Sequence, residues 1–169
     1  MSHRLYSVKQ RFYCLVILLL LIGIAPNAAA VRRILLVGDS WTQWPWDMGS
    51  FQSVLNYNFG TDTYQVEGSY TALGGTTAAS WASNAVPPEG TFPSPPGHTN
   101  MPSLDRITWS LNNWPTIDII HLSITGNDMW SWRASWTPAQ TQVLYDSIQA
   151  NLQTVVSWIR TNHPHVKIL

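Results

Sequence analysis

The 169 residues hold nine Lys/Arg and nine Asp/Glu, so the formal charge is zero, only 11 % of positions are charged, and ten are tryptophan. No basic stripe is available for nucleic acid. The single cysteine, Cys14, excludes both a disulfide framework and a cysteine metal site.

Residues 1–30 read as an export leader. Arg4, Lys9 and Arg11 form a basic n-region, and Phe12 to Ala25 is almost wholly apolar. At about 14 residues this run is shorter than the roughly 20 that cross a bilayer as a helix. Ala28-Ala29-Ala30 then supplies a small-residue cleavage site before Val31. Secretion without a stable membrane anchor is therefore the expectation, the alternative being an uncleaved N-terminal anchor. Residues 31–169 keep six basic and nine acidic residues, a formal charge of −3, together with all ten tryptophans. That balance favours neutral or sugar-like substrates over polyanions.

Ile34-Leu35-Leu36-Val37 is a continuous apolar run closed by Gly38, the pattern of a strand buried on both faces. A short helix is expected after Pro45, through Phe51 and Leu55. Tyr64-Gln65-Val66 is a weaker strand, and Gly74-Gly75-Thr76-Thr77 turns into a helix over Ala78 to Ala82. Residues 86–102 are rich in Pro, Gly, Ser and Thr and predict a surface loop. A helix from about Ser103 to Asn113 stops before Pro115, and Ile117 to Ile124 is the strongest strand signal. Thr137-Pro138-Ala139-Gln140 has the residues of a helix start: a capping threonine, proline at the first position and glutamine three residues after the cap. Leu144, Ile148, Leu152, Val155 and Ile159 then mark one apolar face, His163-Pro164 ends the helix, and Val166 to Leu169 begins another strand. Alternating strands and helices predict an α/β domain over residues 31–169 with a parallel sheet. Ligands bind beyond the carboxyl ends of such strands.

Two sequence turns fall at those ends. Gly38-Asp39-Ser40-Trp41 follows the first strand, where a hydroxyl projects from the sheet edge; the same residues also suit a plain helix cap. Thr125-Gly126-Asn127-Asp128 follows the third, with an asparagine amide or a simple Asx turn. Between them, Gly75 opens a helix and can aim its N–H at an anion.

Together these blocks resemble the SGNH (GDSL-like) hydrolases: Gly38-Asp39-Ser40 matches the first block, Gly75 the second-block glycine, and Gly126-Asn127-Asp128 a compressed form of Gly-x-Asn-Asp. The resemblance implies a three-layer α/β/α sandwich with a flavodoxin-like parallel sheet. It also implies a serine esterase acting on O-acyl esters, carbohydrate esters among them. Ser40 would be the nucleophile, with Ser40 N–H, Gly75 N–H and the Asn127 amide as oxyanion donors. Asp39 and Asp128 would organise the turns. No cofactor is implied, and no His/Asp spacing supports a metal. Nor does the first loop carry a nucleotide-binding glycine motif.

The family draws its base from a C-terminal Asp-x-x-His block, and none occurs after Asn127. His98, His121, His163 and His165 are poor substitutes by position, His121 being expected as a hydrogen-bonded core imidazole. The expectation is a fragment of a longer enzyme, lacking the fifth strand and closing helix, and nearly inactive alone. Trp41, Trp130 and Trp132 are candidate substrate-binding residues. The competing reading is a non-catalytic extracellular glycan-binding module on the same scaffold.

Overall fold

The computed structural model describes residues 31–87 and 92–169. The predicted leader, residues 1–30, lies outside them. Residues 31–169 are an α/β unit built on a four-stranded, wholly parallel sheet. In chain order the strands are β1 (Arg32–Gly38), β2 (Tyr64–Glu67), β3 (Ile117–Ser123) and β4 (Lys167–Ile168). Their spatial order is β2-β1-β3-β4, so the two most apolar strands lie in the middle. Leu35, Val37 and Ile120 are fully enclosed there, as a strand covered on both faces requires.

The helices of the described residues are α1 (Ser40–Asp47), α2 (Ser50–Phe59), α3 (Ala78–Ala82), α4 (Ser103–Asn113) and α5 (Pro138–Asn162), with a 3₁₀ turn at Asp128–Ser131. One expectation fails at α1. The helix starts at Ser40, not after Pro45, and Pro45 sits inside it. The Asp39 side chain accepts from Trp41 N and nucleates the turn, and the helix is short enough to end at Asp47, soon after the residue that lacks an N–H. Gly49, at φ +67°, then reverses the chain into α2.

The start of α5 agrees with its sequence: Thr137 and Gln140 form a reciprocal capping box and Pro138 holds the first position. Its burial does not extend as far as the apolar spacing suggests. Val155 and Ile159 are buried, while Leu144 and Ile148 are half-exposed. Twenty-five residues of helix span about 37 Å at 1.5 Å each. Seven-residue strands reach only about 23 Å, so the N-terminal half of α5 overhangs the sheet.

The outer edge of β2 is covered by a side chain. Gln52 of α2 accepts from Val66 N at 3.0 Å and donates to Tyr64 O at 2.8 Å, so its carboxamide pairs with the strand as a neighbouring peptide would. An edge satisfied in this way offers less to a foreign strand. Arg106, 2 % exposed, spends its guanidinium on the carbonyls of Met101, Tyr70 and Pro93, tying α4 to the proline-rich loop. Burial lowers its pKa from the ordinary arginine value.

Candidate active site

Three turns converge at the carboxyl ends of β1, β2 and β3, because parallel strands send every following turn to the same rim. The first carries Ser40 at the opening position of α1, the second Gly74-Gly75, the third Gly126-Asn127. Ser40 Oγ lies 3.5 Å from Asn127 Oδ1, although 87 residues separate them in the chain. A Cβ added to Gly74 would stand 3.7 Å from Ser40 Cβ, which puts the second turn beside the same hydroxyl.

The donors are held from below. Trp81, fully buried in α3, donates its indole N–H to Thr76 Oγ1 at 3.0 Å, and that hydroxyl donates to Leu73 O at 2.7 Å. Burying such a ring is worth roughly 4–6 kcal/mol before entropy, at about 25 cal/mol per Å². Thr76 O in turn accepts from Asn127 Nδ2 at 2.9 Å. This bond uses one of the two amide hydrogens, and the carboxamide oxygen faces Ser40; the other hydrogen has no acceptor among the described residues. Gly75 adopts φ +75° with nothing within 4 Å of its Cβ position, a left-handed turn facing open space. Among the described residues neither Gly75 N nor Ser40 N has a protein acceptor. Ser40 N additionally sits at a helix N-terminus, where partial positive charge accumulates.

Two carboxylates lace the turns together. Asp39, fully buried, accepts from Trp41 N at 3.0 Å through one oxygen and from Asn127 N at 3.2 Å through the other. Asp128 accepts from Ala78 N at 2.8 Å, joining the third turn to the start of α3. Burial pushes the Asp128 carboxyl above its ordinary value, opposed by the Ala78 N–H and reinforced by the negative charge of Asp39. Asp39 is legible as a helix cap from sequence, but its second bond, to residue 127, carries no sequence signal.

No imidazole among the described residues hydrogen-bonds to Ser40. His98 is exposed in the proline-rich loop. His163 caps the end of α5 and pairs with Thr108 Oγ1 at 3.0 Å; burial lowers its pKa, and His165 nearby lowers it further. His121 departs from expectation: it is half-buried against Phe51, ring centroids 5.2 Å apart, but its Nδ1 is buried with no partner. Burial lowers its pKa as well.

Trp41, Trp130 and Trp132 are 65 %, 75 % and 43 % exposed, so all three indoles present surface to solvent. Trp44, one helical turn after Trp41, is exposed too. Trp46 instead packs on Gly68. Among the described residues no three His, Cys, Asp or Glu side chains gather as a metal ion would need. Compared with known proteins, the chain matches no family model, and no curated protein or solved structure shows significant similarity to it.

Proposed function

We propose that residues 31–169 carry the nucleophile and oxyanion donors of an SGNH-type serine hydrolase acting on O-acyl esters, carbohydrate esters among them. The observation that carries the reading is the approach of Ser40 Oγ to the Asn127 side chain across 87 residues, beside a Gly75 N–H that has no acceptor among the described residues. In the reaction proposed, Ser40 Oγ adds to the ester carbonyl. The carbonyl oxygen, now negative, is held by Ser40 N–H, Gly75 N–H and the free amide hydrogen of Asn127. Such preorganised donors contribute about 2.7–4 kcal/mol each where measured. The tetrahedral adduct collapses with loss of the alcohol, and water later releases the acid.

Ser40 needs a base to take its proton. None of the described histidines hydrogen-bonds to it, so this chain alone is expected to turn over esters slowly, at the level that oxyanion donors sustain without a triad. The test supplies the base from solution. Imidazole-stimulated hydrolysis of p-nitrophenyl acetate is expected to run faster with the wild-type chain than with Ser40→Ala, after subtracting imidazole's own rate. Equal rates for the two proteins, at every imidazole concentration, refute the proposal.

The exposed indoles of Trp41, Trp130 and Trp132, with no imidazole hydrogen-bonded to Ser40 among the described residues, favour one second reading, a glycan-binding module. A cavity of about 420 Å³ between Trp136, Thr141, Gln142 and Tyr145 adjoins Trp132 through the bond from Trp132 Nε1 to Thr141 Oγ1. Aromatic faces beside neutral amide and hydroxyl groups suit sugar rings. Export through the leader in residues 1–30 belongs to both readings. Among the described residues no helix is long and apolar enough to cross a membrane.

A further inference from the structure

Each proposed oxyanion donor outside α1 is preceded by a glycine, Gly74 before Gly75 and Gly126 before Asn127. In both cases the space where a Cβ would stand is occupied by a side chain of α1, the nucleophile's own helix. At Gly74 that atom is Gln43 Oε1, which also accepts the Gly74 N–H at 3.0 Å. At Gly126 it is the Trp41 indole edge, Cδ1 with Nε1 2.5 Å away, and Asp39 Oδ2 stands 2.9 Å off. Successive helical residues turn by about 100°, so positions 41 and 43 lie about 200° apart around the axis, on nearly opposite sides. One helix can therefore touch both flanking turns.

We propose that Trp41 and Gln43 are positioning residues that clamp the Gly126-Asn127 and Gly74-Gly75 turns onto α1, setting the two donors against Ser40. The inference rests on the hydrolase reading for its consequence, though not for its geometry. Gln43 acts as an acceptor: it takes the Gly74 N–H, and this holds the next peptide with its own N–H free. Trp41 acts as a wedge: its indole edge fills the space over residue 126 while the rest of the ring faces solvent. This explains why the glycine stands directly before Asn127. With an indole at position 41, residue 126 has no room for a side chain.

Three measurements on the full chain test it. By NMR hydrogen exchange, Gln43→Ala is expected to speed Gly74 N–H exchange about tenfold, the worth of one hydrogen bond. Gln43→Glu, which keeps an acceptor oxygen, is expected to restore protection. In urea unfolding, Gly126→Ala is expected to lower the folding constant about tenfold with Trp41 present and far less in a Trp41→Ala background. Third, Ser40 labelling by a p-nitrophenyl alkylphosphonate, followed by intact mass, is expected to slow in Gln43→Ala and Trp41→Ala and to recover in Gln43→Glu.

Unchanged Gly74 exchange in Gln43→Ala, or additive effects of the Gly126 and Trp41 substitutions, overturns the clamp. So does equal labelling of wild type and Gln43→Ala when the wild type labels faster than Ser40→Ala. If the wild type labels no faster than Ser40→Ala, the hydrolase reading fails instead, and exchange and the double-mutant cycle still decide the clamp.

Discussion

Replacing Asp39 with alanine removes two bonds that act at different levels of the structure. One caps α1 through Trp41 N, and loss of such a cap costs about 1 kcal/mol. The other accepts the Asn127 N–H across 88 residues; leaving that half-buried donor unpaired costs about 1–3 kcal/mol. The combined loss is about 2–4 kcal/mol, with the carboxylate's charge favouring the upper part because charged acceptors bind N–H groups more strongly. For a domain of this size each kcal/mol moves Tm by about 3–5 °C, so Asp39→Ala is expected to melt about 6–20 °C lower. Asp39→Asn keeps one acceptor oxygen and turns an NH₂ toward the other donor, so it should fall between alanine and wild type only if the cap bond survives. Circular dichroism melts and urea titrations of the three proteins measure these differences. If Asp39→Ala lies within about 0.5 kcal/mol of wild type, in the range of ordinary surface substitutions, the two-bond account of the site is wrong.

The pH dependence of stability follows from the histidines. Burial holds His121 and His163 below the ordinary imidazole value of 6.5, so the unfolded chain binds protons first as pH falls. Stability is therefore full above about pH 6.5 and declines below it, down through the folded-state values. His121→Phe keeps the ring contact with Phe51 and removes one of the two titrations. Urea midpoints between pH 7 and 5 should depend less on pH in this variant, and an undiminished slope would show that His121 does not contribute. At the sheet edge, Gln52→Leu keeps side-chain bulk but strands Tyr64 O and Val66 N. It is expected to cost about 1–3 kcal/mol and to raise light scattering on incubation, whereas a monomeric variant of wild-type stability would contradict the edge-covering role.

Much of the α/β arrangement could be read from residue order alone. A run such as Ile34 to Val37, apolar at every position, has to be covered on both faces, and parallel strands joined through helices do that. Local chemistry sufficed where the deciding atoms are neighbours in the chain, as in the capping box of Thr137 and Gln140. It misled at Pro45, because proline's preference for the first turn of a helix was outweighed by the cap that Asp39 provides six residues earlier. It also overstated burial along α5, since periodicity records which face is apolar and says nothing of where the sheet ends.

The same division runs through the site. The meeting of the turns that carry Ser40, Gly75 and Asn127 was foreseeable because each turn follows a strand, and a parallel sheet brings all such turns to one rim. Their support was not identifiable. Gln43 against Gly74, Trp41 against Gly126, the second oxygen of Asp39 and the carbonyl of Thr76 are contacts between segments 30 to 90 residues apart. A sequence pattern reports what a residue does to its own backbone; which atoms meet across the rim depends on strand register and helix rotation, and those are determined only once the chain has packed.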